Sequence, residues 1–389
     1  MIAIFDPTVG ASVGEASAVT AIVLARLLIP LLIPRVPLVI IVALVIDSAD
    51  QDLLNLFTEI DTSANGPYQS WDKALDIWYL SIAYLAALRN WTSDSAFRIA
   101  QFLLYYRLVG GMLFELSGAR AMLLVFPNTF EYFFILYEIV RLRREPSRFS
   151  ARFWLLAAAG LWVFVKLPQE YWIHVAKLDF SDTLNDYPAF AVAVVAGLLL
   201  AALVLIFVLL PRLPAADWRW RFATDPLPSS LVGAHARFAR RLESGRVLTR
   251  EAFENILLLS LLGVIFASIL PSVDATVLQI AVGVTAIVLA NAAISLEAAR
   301  RGRFGPQSGA AEYAVLLATN LVLVYVASAV IGQRRDLELT TGLFFAFLIA
   351  TIISLFDAFR PMHDLRFAGS PLRVRSIGDL FKRARERRP

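Results

Sequence analysis

The sequence predicts an all-α, polytopic membrane protein of about eleven transmembrane helices, with its N-terminus outside and its C-terminus cytoplasmic. Three observations predict it. Hydrophobic residues make up 58% of the 389 and charged ones only 17%, against roughly 45–50% and about 25% in soluble domains. Several apolar runs reach the roughly 20 residues that a bilayer requires. The runs are continuous rather than alternating, which excludes an outer-membrane barrel.

The expected spans lie near 17–34, 37–58, 68–89, 96–117, 119–140, 152–167, 188–211, 253–271, 275–297, 311–332 and 338–358. The first contains Arg26 and Pro30; the seventh carries no charge. The basic segments 141–152, 212–250, 297–303 and the tail from Arg360 fall on one side if the N-terminus is outside, as the positive-inside rule requires. Arg334 and Arg335 are the exception. This bias accounts for the formal charge of +4 without nucleic acid. The chain has no cysteine, so disulfides and thiolate chemistry are excluded. No cleaved signal peptide is expected, and no phosphate-binding glycine loop occurs.

The organisation read from these spans has four parts. Residues 1–211 form a seven-span, polar-cavity membrane domain. Residues 212–252 form a cytoplasmic linker with an amphipathic helix, 253–358 a four-span scaffold or interface, and 359–389 a basic cytoplasmic tail. The last four spans carry few ionisable residues, and Asn291 and Asn320 suit helix packing there. The chain is expected in the cell membrane, in contact with lipids, with 253–358 offered to a membrane-protein partner or a second copy.

The polar residues gather in the first half. The stretch 46–80 reads IDSADQDLLNLFTEIDTSANGPYQSWDKALDIWYL. Asp47, Asp50 and Gln51 share one helical face, and Asp72 and Asp76 repeat the spacing on the next helix. Carboxylates kept in membrane helices mark a functional site by default; solvation at a loop end is the competing reading for Asp50, Asp52 and Asp72, and a weaker one for Asp47 and Asp76, one turn deeper. Arg107, Glu131 and Lys166 add charges in later spans and are read as substrate-binding. His174, in the loop 168–187 beside Asp179 and Asp182, is a candidate acid/base or metal ligand; a structural role is the commoner one. Together these predict one polar cavity open to the outside. Paired aspartates on adjacent helices suit a hard divalent cation, Mg²⁺ or Mn²⁺, which can bridge a diphosphate.

Asp47-x-x-Asp50 followed by Asp72-x-x-x-Asp76 resembles the CDP-alcohol phosphatidyltransferases, whose motif pairs aspartates across their second and third helices. That resemblance implies that Asp47, Asp50 and Asp72 ligate metal and that Asp76 is the base activating an alcohol. Gln51 stands where the family has glycine, Leu54 and Asn55 where it has Ala-Arg, and Tyr68 at its second glycine. The leading functional expectation is a metal-dependent transferase acting on a lipid or lipid-linked phosphate at the extracytoplasmic face. An ion- or proton-coupled transporter using the same acids and a non-catalytic subunit of a membrane complex are the alternatives.

Overall fold

In the computed structural model, the described residues are 13–57, 68–119, 121–171, 187–204, 207–208, 212, 215–226, 247–269, 273, 275–301, 309–331 and 337–367. Among the described residues the structure is 84% helical, with no strand. In chain order the helices are α1 (Val13–Leu28), α2 (Val39–Phe57), α3 (Tyr68–Asn90), α4 (Asp94–Ser117), α5 (Ala121–Val125), α6 (Thr129–Arg141) and α7 (Ala151–Gly160). Then follow α8 (Leu167–Glu170), α9 (Pro188–Val204), α10 (Arg250–Ile269), α11 (Val277–Arg300), α12 (Gly309–Ile331) and α13 (Leu339–Arg366).

Seven helical stretches are long and apolar enough to cross a membrane: Asp94–Ser117, Ala121–Arg141, Ala151–Glu170, Arg250–Ser268, Val277–Ala298, Ala310–Val330 and Leu339–Arg366. Helices α2 and α3, which carry the aspartates, fall outside this set, as do the 16-residue α1 and the 17-residue α9. Large apolar side chains face outward along several of these helices, among them Leu155 and Phe164, Val192 and Leu200, and Val322 and Val330. Such surfaces suit acyl chains rather than water.

The chain divides into two compact units, Met1–Trp91 with Ala223–Pro389 and Thr92–Phe222. This differs from a boundary at 211: the first three helices group with the last four. The reason is α3, which packs against α1, α2, α10 and α13. Every residue from Ala74 to Arg89 is buried, and a helix apolar on all sides belongs at a bundle centre.

At one end of the first unit, prolines at 30, 34 and 37 stop α1 and turn the chain through a 3₁₀ segment, Ile29–Leu32. Arg89, in the last turn of α3, donates to the Pro34 carbonyl at 2.5 Å and to that of Asp225 at 2.6 Å. Arg366 closes the same end by donating to the Trp91 carbonyl at 2.7 Å. Further along, Asn291 Nδ2 donates to Asn320 Oδ1 at 2.8 Å and ties α11 to α12, the packing role expected for both.

The second unit is centred on Trp154, whose ring lies 5.2 Å from that of Tyr137 and 6.0 Å from that of Phe133. Its first helix is capped by Ser93, which accepts from the Ala96 amide. That helix ends at Gly118, whose φ of +64° suits the left-handed C-terminal cap. The span expected at 119–140 is interrupted: Pro127 ends α5, and α6 restarts at Thr129. Conversely, the span expected to stop at 167 runs on to Glu170. A π-helical segment, Leu161–Lys166, precedes Pro168; its wider turn accommodates a residue that cannot donate to the preceding turn.

The start of the expected 212–252 linker is tied down. Trp218 Nε1 donates to the Arg141 and Leu142 carbonyls at 3.0 and 3.1 Å, and the Arg143 guanidinium lies over the Trp220 ring. The amphipathic helix expected after it and the basic tail lie outside the described residues.

Candidate functional site

Arg26 sits in the last turn of α1, one residue before Leu27, whose carbonyl accepts from Trp78 Nε1 at 2.9 Å. That bond fixes the level of Arg26 against α3. Its guanidinium then reaches four carboxylates on two other helices. Nη1 donates to Asp50 Oδ2 and, at 2.7 Å, to Asp72 Oδ1. Nη2 donates to Asp47 Oδ1 and, at 2.8 Å, to Asp76 Oδ1. It also lies 3.3 Å from the Asp72 carbonyl. The i, i+3 spacing of Asp47 and Asp50 and the i, i+4 spacing of Asp72 and Asp76 put each pair on the face that meets α1.

The cluster is buried. The Asp50 side chain has no exposure, Asp72 and Asp76 retain 11%, and Asp47 retains 20%. Asp47 is therefore the side from which the site can be reached. Among the described residues one guanidinium faces four carboxylates, so these five groups, ionised, carry a threefold negative excess in a poorly solvated place. Such an excess needs cations or protons.

One oxygen each from Asp47, Asp50 and Asp72 lies within 4.8 Å of the other two. Three hard oxygens at that separation fit an oxygen-preferring divalent ion. The expected ligand set thus converges, and Asp76 stands beside it on the same guanidinium. The sequence marks these acids as one candidate site, but neither their meeting in space nor Arg26 as their anchor is legible in it. A lone arginine in an apolar run is itself a signal, because such residues are paired.

Arg107, Glu131 and Lys166 belong to the second compact unit, where they form a cluster with Asn128 and Glu170. Asn128 Nδ2 donates to Glu131 Oε2 at 2.9 Å, and its backbone amide lies 3.2 Å from Glu170 Oε1. Arg107 Nη1 donates to the Phe126 carbonyl at 3.2 Å. The Lys166 ammonium sits 4.2 Å from the centre of the Tyr132 ring, within cation–π range. His174 lies outside the described residues.

One charged network went unread in the sequence because the last four helices look almost free of ionisable residues. Glu254 of α10 accepts from Tyr84 of α3 and from Arg360 of α13. Asp364 lies 3.4 Å from Arg360 Nε. Each partner sits near a helix end, where sequence makes it look like an ordinary flanking charge.

No family model, curated protein or solved structure matches the chain.

Proposed function

We propose that this integral membrane protein handles a lipid or lipid-linked phosphate at a divalent-cation site formed by Asp47, Asp50 and Asp72. The observation that carries the reading is the meeting of those three carboxylates, in net negative excess, within 4.8 Å of one another. One divalent ion would leave the five-residue cluster with a single negative charge. Asp72 is the fifth residue of α3, roughly 6 Å from its start. Asp50 is seven residues from the end of α2, about 10 Å along it. A site near helix ends suits the depth of a lipid phosphate, whereas coupled carriers place theirs near the bilayer midplane.

In this reading Mg²⁺ or Mn²⁺, when bound, would neutralise phosphate charge on the leaving group. Arg26 holds the four carboxylates in register. Asp76, outside the ligand triad, receives the proton of an attacking alcohol, the role the phosphatidyltransferase resemblance gives it. The expected count of eleven crossings, with the N-terminus outside and the acidic site extracytoplasmic, belongs to the same proposal. Ion-coupled transport is the second reading, favoured by the complete burial of Asp50.

The test is calorimetric titration of the purified protein with Mn²⁺ and Mg²⁺, alongside Asp50→Asn and Asp72→Asn. Saturable binding lost in both variants supports the site. A wild type that binds neither ion removes the metal reading. Cation flux into proteoliposomes that depends on Asp50 would favour transport over lipid chemistry.

A further inference from the structure

The loop 142–150 joins two stretches that are long and apolar enough to cross a membrane, Ala121–Arg141 and Ala151–Glu170. A loop between two crossings lies at the depth of the lipid headgroups. The segment 215–222 is fastened across this loop by its backbone. The amides of Asp217 and Arg221 donate to the carbonyls of Arg143 and Leu142, each at 2.9 Å. In return the Glu145 amide donates to Asp217 Oδ2 at 2.8 Å, and Trp218 Nε1 bonds the last carbonyls of α6. The two pieces of chain form one platform within the second unit.

Two aromatic rings stand out from it among exposed cations. Trp220 and Phe222 are each 55% exposed, and their rings stack 5.9 Å apart with 13° between planes. The Arg143 guanidinium lies 5.2 Å from the Trp220 ring centre, and Arg143, Arg148 and Arg219 are all exposed. Both acids of the platform are engaged, Asp217 by Arg148 and Glu145 by Thr92 and Ser147. Arg143, Arg144, Arg148, Arg219 and Arg221 outnumber those acids and leave a threefold positive excess.

Water solvates the arginines but not two half-exposed rings, and acyl chains solvate the rings but not the charges. The headgroup layer accepts both. Guanidinium groups match phosphate oxygens, and only a headgroup with net negative charge offsets the positive excess. We propose that Arg143, Arg148, Arg219, Trp220 and Phe222 form a binding surface for anionic phospholipid headgroups. Phosphate oxygens meet the guanidinium groups, and the paired rings sit at the base of the acyl chains. Charge complementarity selects this occupant. The surface stands apart from the cation site proposed above, because it uses none of that site's residues.

The experiment places the full-length protein in nanodiscs of phosphatidylcholine, with and without phosphatidylglycerol, and compares melting temperatures at low and high salt. Phosphatidylglycerol should raise the melting temperature at low salt, and high salt should shrink the rise by screening. Arg143→Gln combined with Arg219→Gln should remove most of the rise, because the positive excess falls from three to one. Trp220→Ala should lower the rise at both salt concentrations, because it removes a ring rather than a charge. The rise is read within each variant, so a change in intrinsic stability cancels. Arg301, exposed and paired with Glu297 in another basic segment, is the control, and Arg301→Gln should keep the full rise. A wild type that melts alike in both bilayers overturns the proposal and leaves an acidic protein segment as the occupant. Equal losses in Arg301→Gln and the platform variants also overturn it, since the effect then belongs to surface charge in general.

Discussion

Arg26 grips Asp72 at two points, the carboxylate at 2.7 Å through Nη1 and the backbone carbonyl at 3.3 Å through Nη2. The same two nitrogens serve Asp50, Asp47 and Asp76. A side chain used this fully is a structural hub as well as a charge. Arg26→Gln should therefore cost about 3–5 kcal/mol of stability, the usual consequence of leaving buried carboxylates without their partner. If the site also takes a divalent ion, Mn²⁺ should restore stability to the variant more than it adds to wild type, because the metal then supplies the missing positive charge. Thermal melts of both proteins with and without Mn²⁺ measure this. An Arg26→Gln protein as stable as wild type would mean the cluster is neutralised another way.

The Glu254–Arg360 pair makes a different prediction, because it links α10 to α13 and also holds Tyr84 of the central helix. Removing one charge, as in Glu254→Gln or Arg360→Met, should destabilise by about 3–5 kcal/mol. Removing both should cost less than the sum, since neither is then buried alone. Tyr84→Phe leaves a carboxylate oxygen short of one donor and should cost about 1–3 kcal/mol. A double-mutant cycle followed by chemical or thermal unfolding gives the coupling, and strictly additive losses would show that the pair is not a unit.

The close approach at Gly110 can be probed directly. A methyl at this position has no room against Phe126 Cβ, and the obstacle starts at the backbone end of that side chain, so a rotamer change cannot clear it. Gly110→Ala should cost about 1–3 kcal/mol, as overpacking does. It should also pull the Phe126 carbonyl away from Arg107. Gly160 offers the control, since a Cβ there meets nothing within 4 Å. Gly160→Ala should be neutral or stabilising in its helical segment. Equal stability of the two variants would contradict the packing described.

What the sequence revealed and what it hid divide along chain distance. The membrane class, the helical content and the shared face within each pair, Asp47 with Asp50 and Asp72 with Asp76, follow from hydrophobic runs and helical spacing, which are local properties; that the two pairs meet does not. Arg26, by contrast, reaches partners 21 to 50 residues away, and Glu254 meets Arg360 across 106. No periodicity signals such pairings. The grouping of α3 with α10 and α13 was hidden for the same reason, since contiguity in sequence favoured a division at 211. Pro127 and Pro168 look alike in sequence, yet one ends a helix and the other is absorbed by a π-turn. Neighbouring backbone decides that difference.

The extracytoplasmic acidic site proposed above can be tested through α3. Asp72 and Arg89 are 17 residues apart on this one helix, about 26 Å at the helical rise. They therefore lie toward opposite membrane surfaces if α3 crosses. Arg35, Arg89, Arg360 and Arg366 gather at the second of these ends, through the bonds to Pro34, Trp91 and Glu254, and an excess of arginine marks the cytoplasmic side. Because the chain has no native cysteine, single cysteines report cleanly. Val36→Cys lies beside Pro34 at the basic end. Thr276→Cys lies just before α11, at the end reached by α10 after leaving Glu254. An impermeant thiol reagent added to intact cells should label Thr276→Cys at once and Val36→Cys only after permeabilisation. The reverse pattern would turn the aspartates toward the cytoplasm and make the substrate a cytoplasmic one.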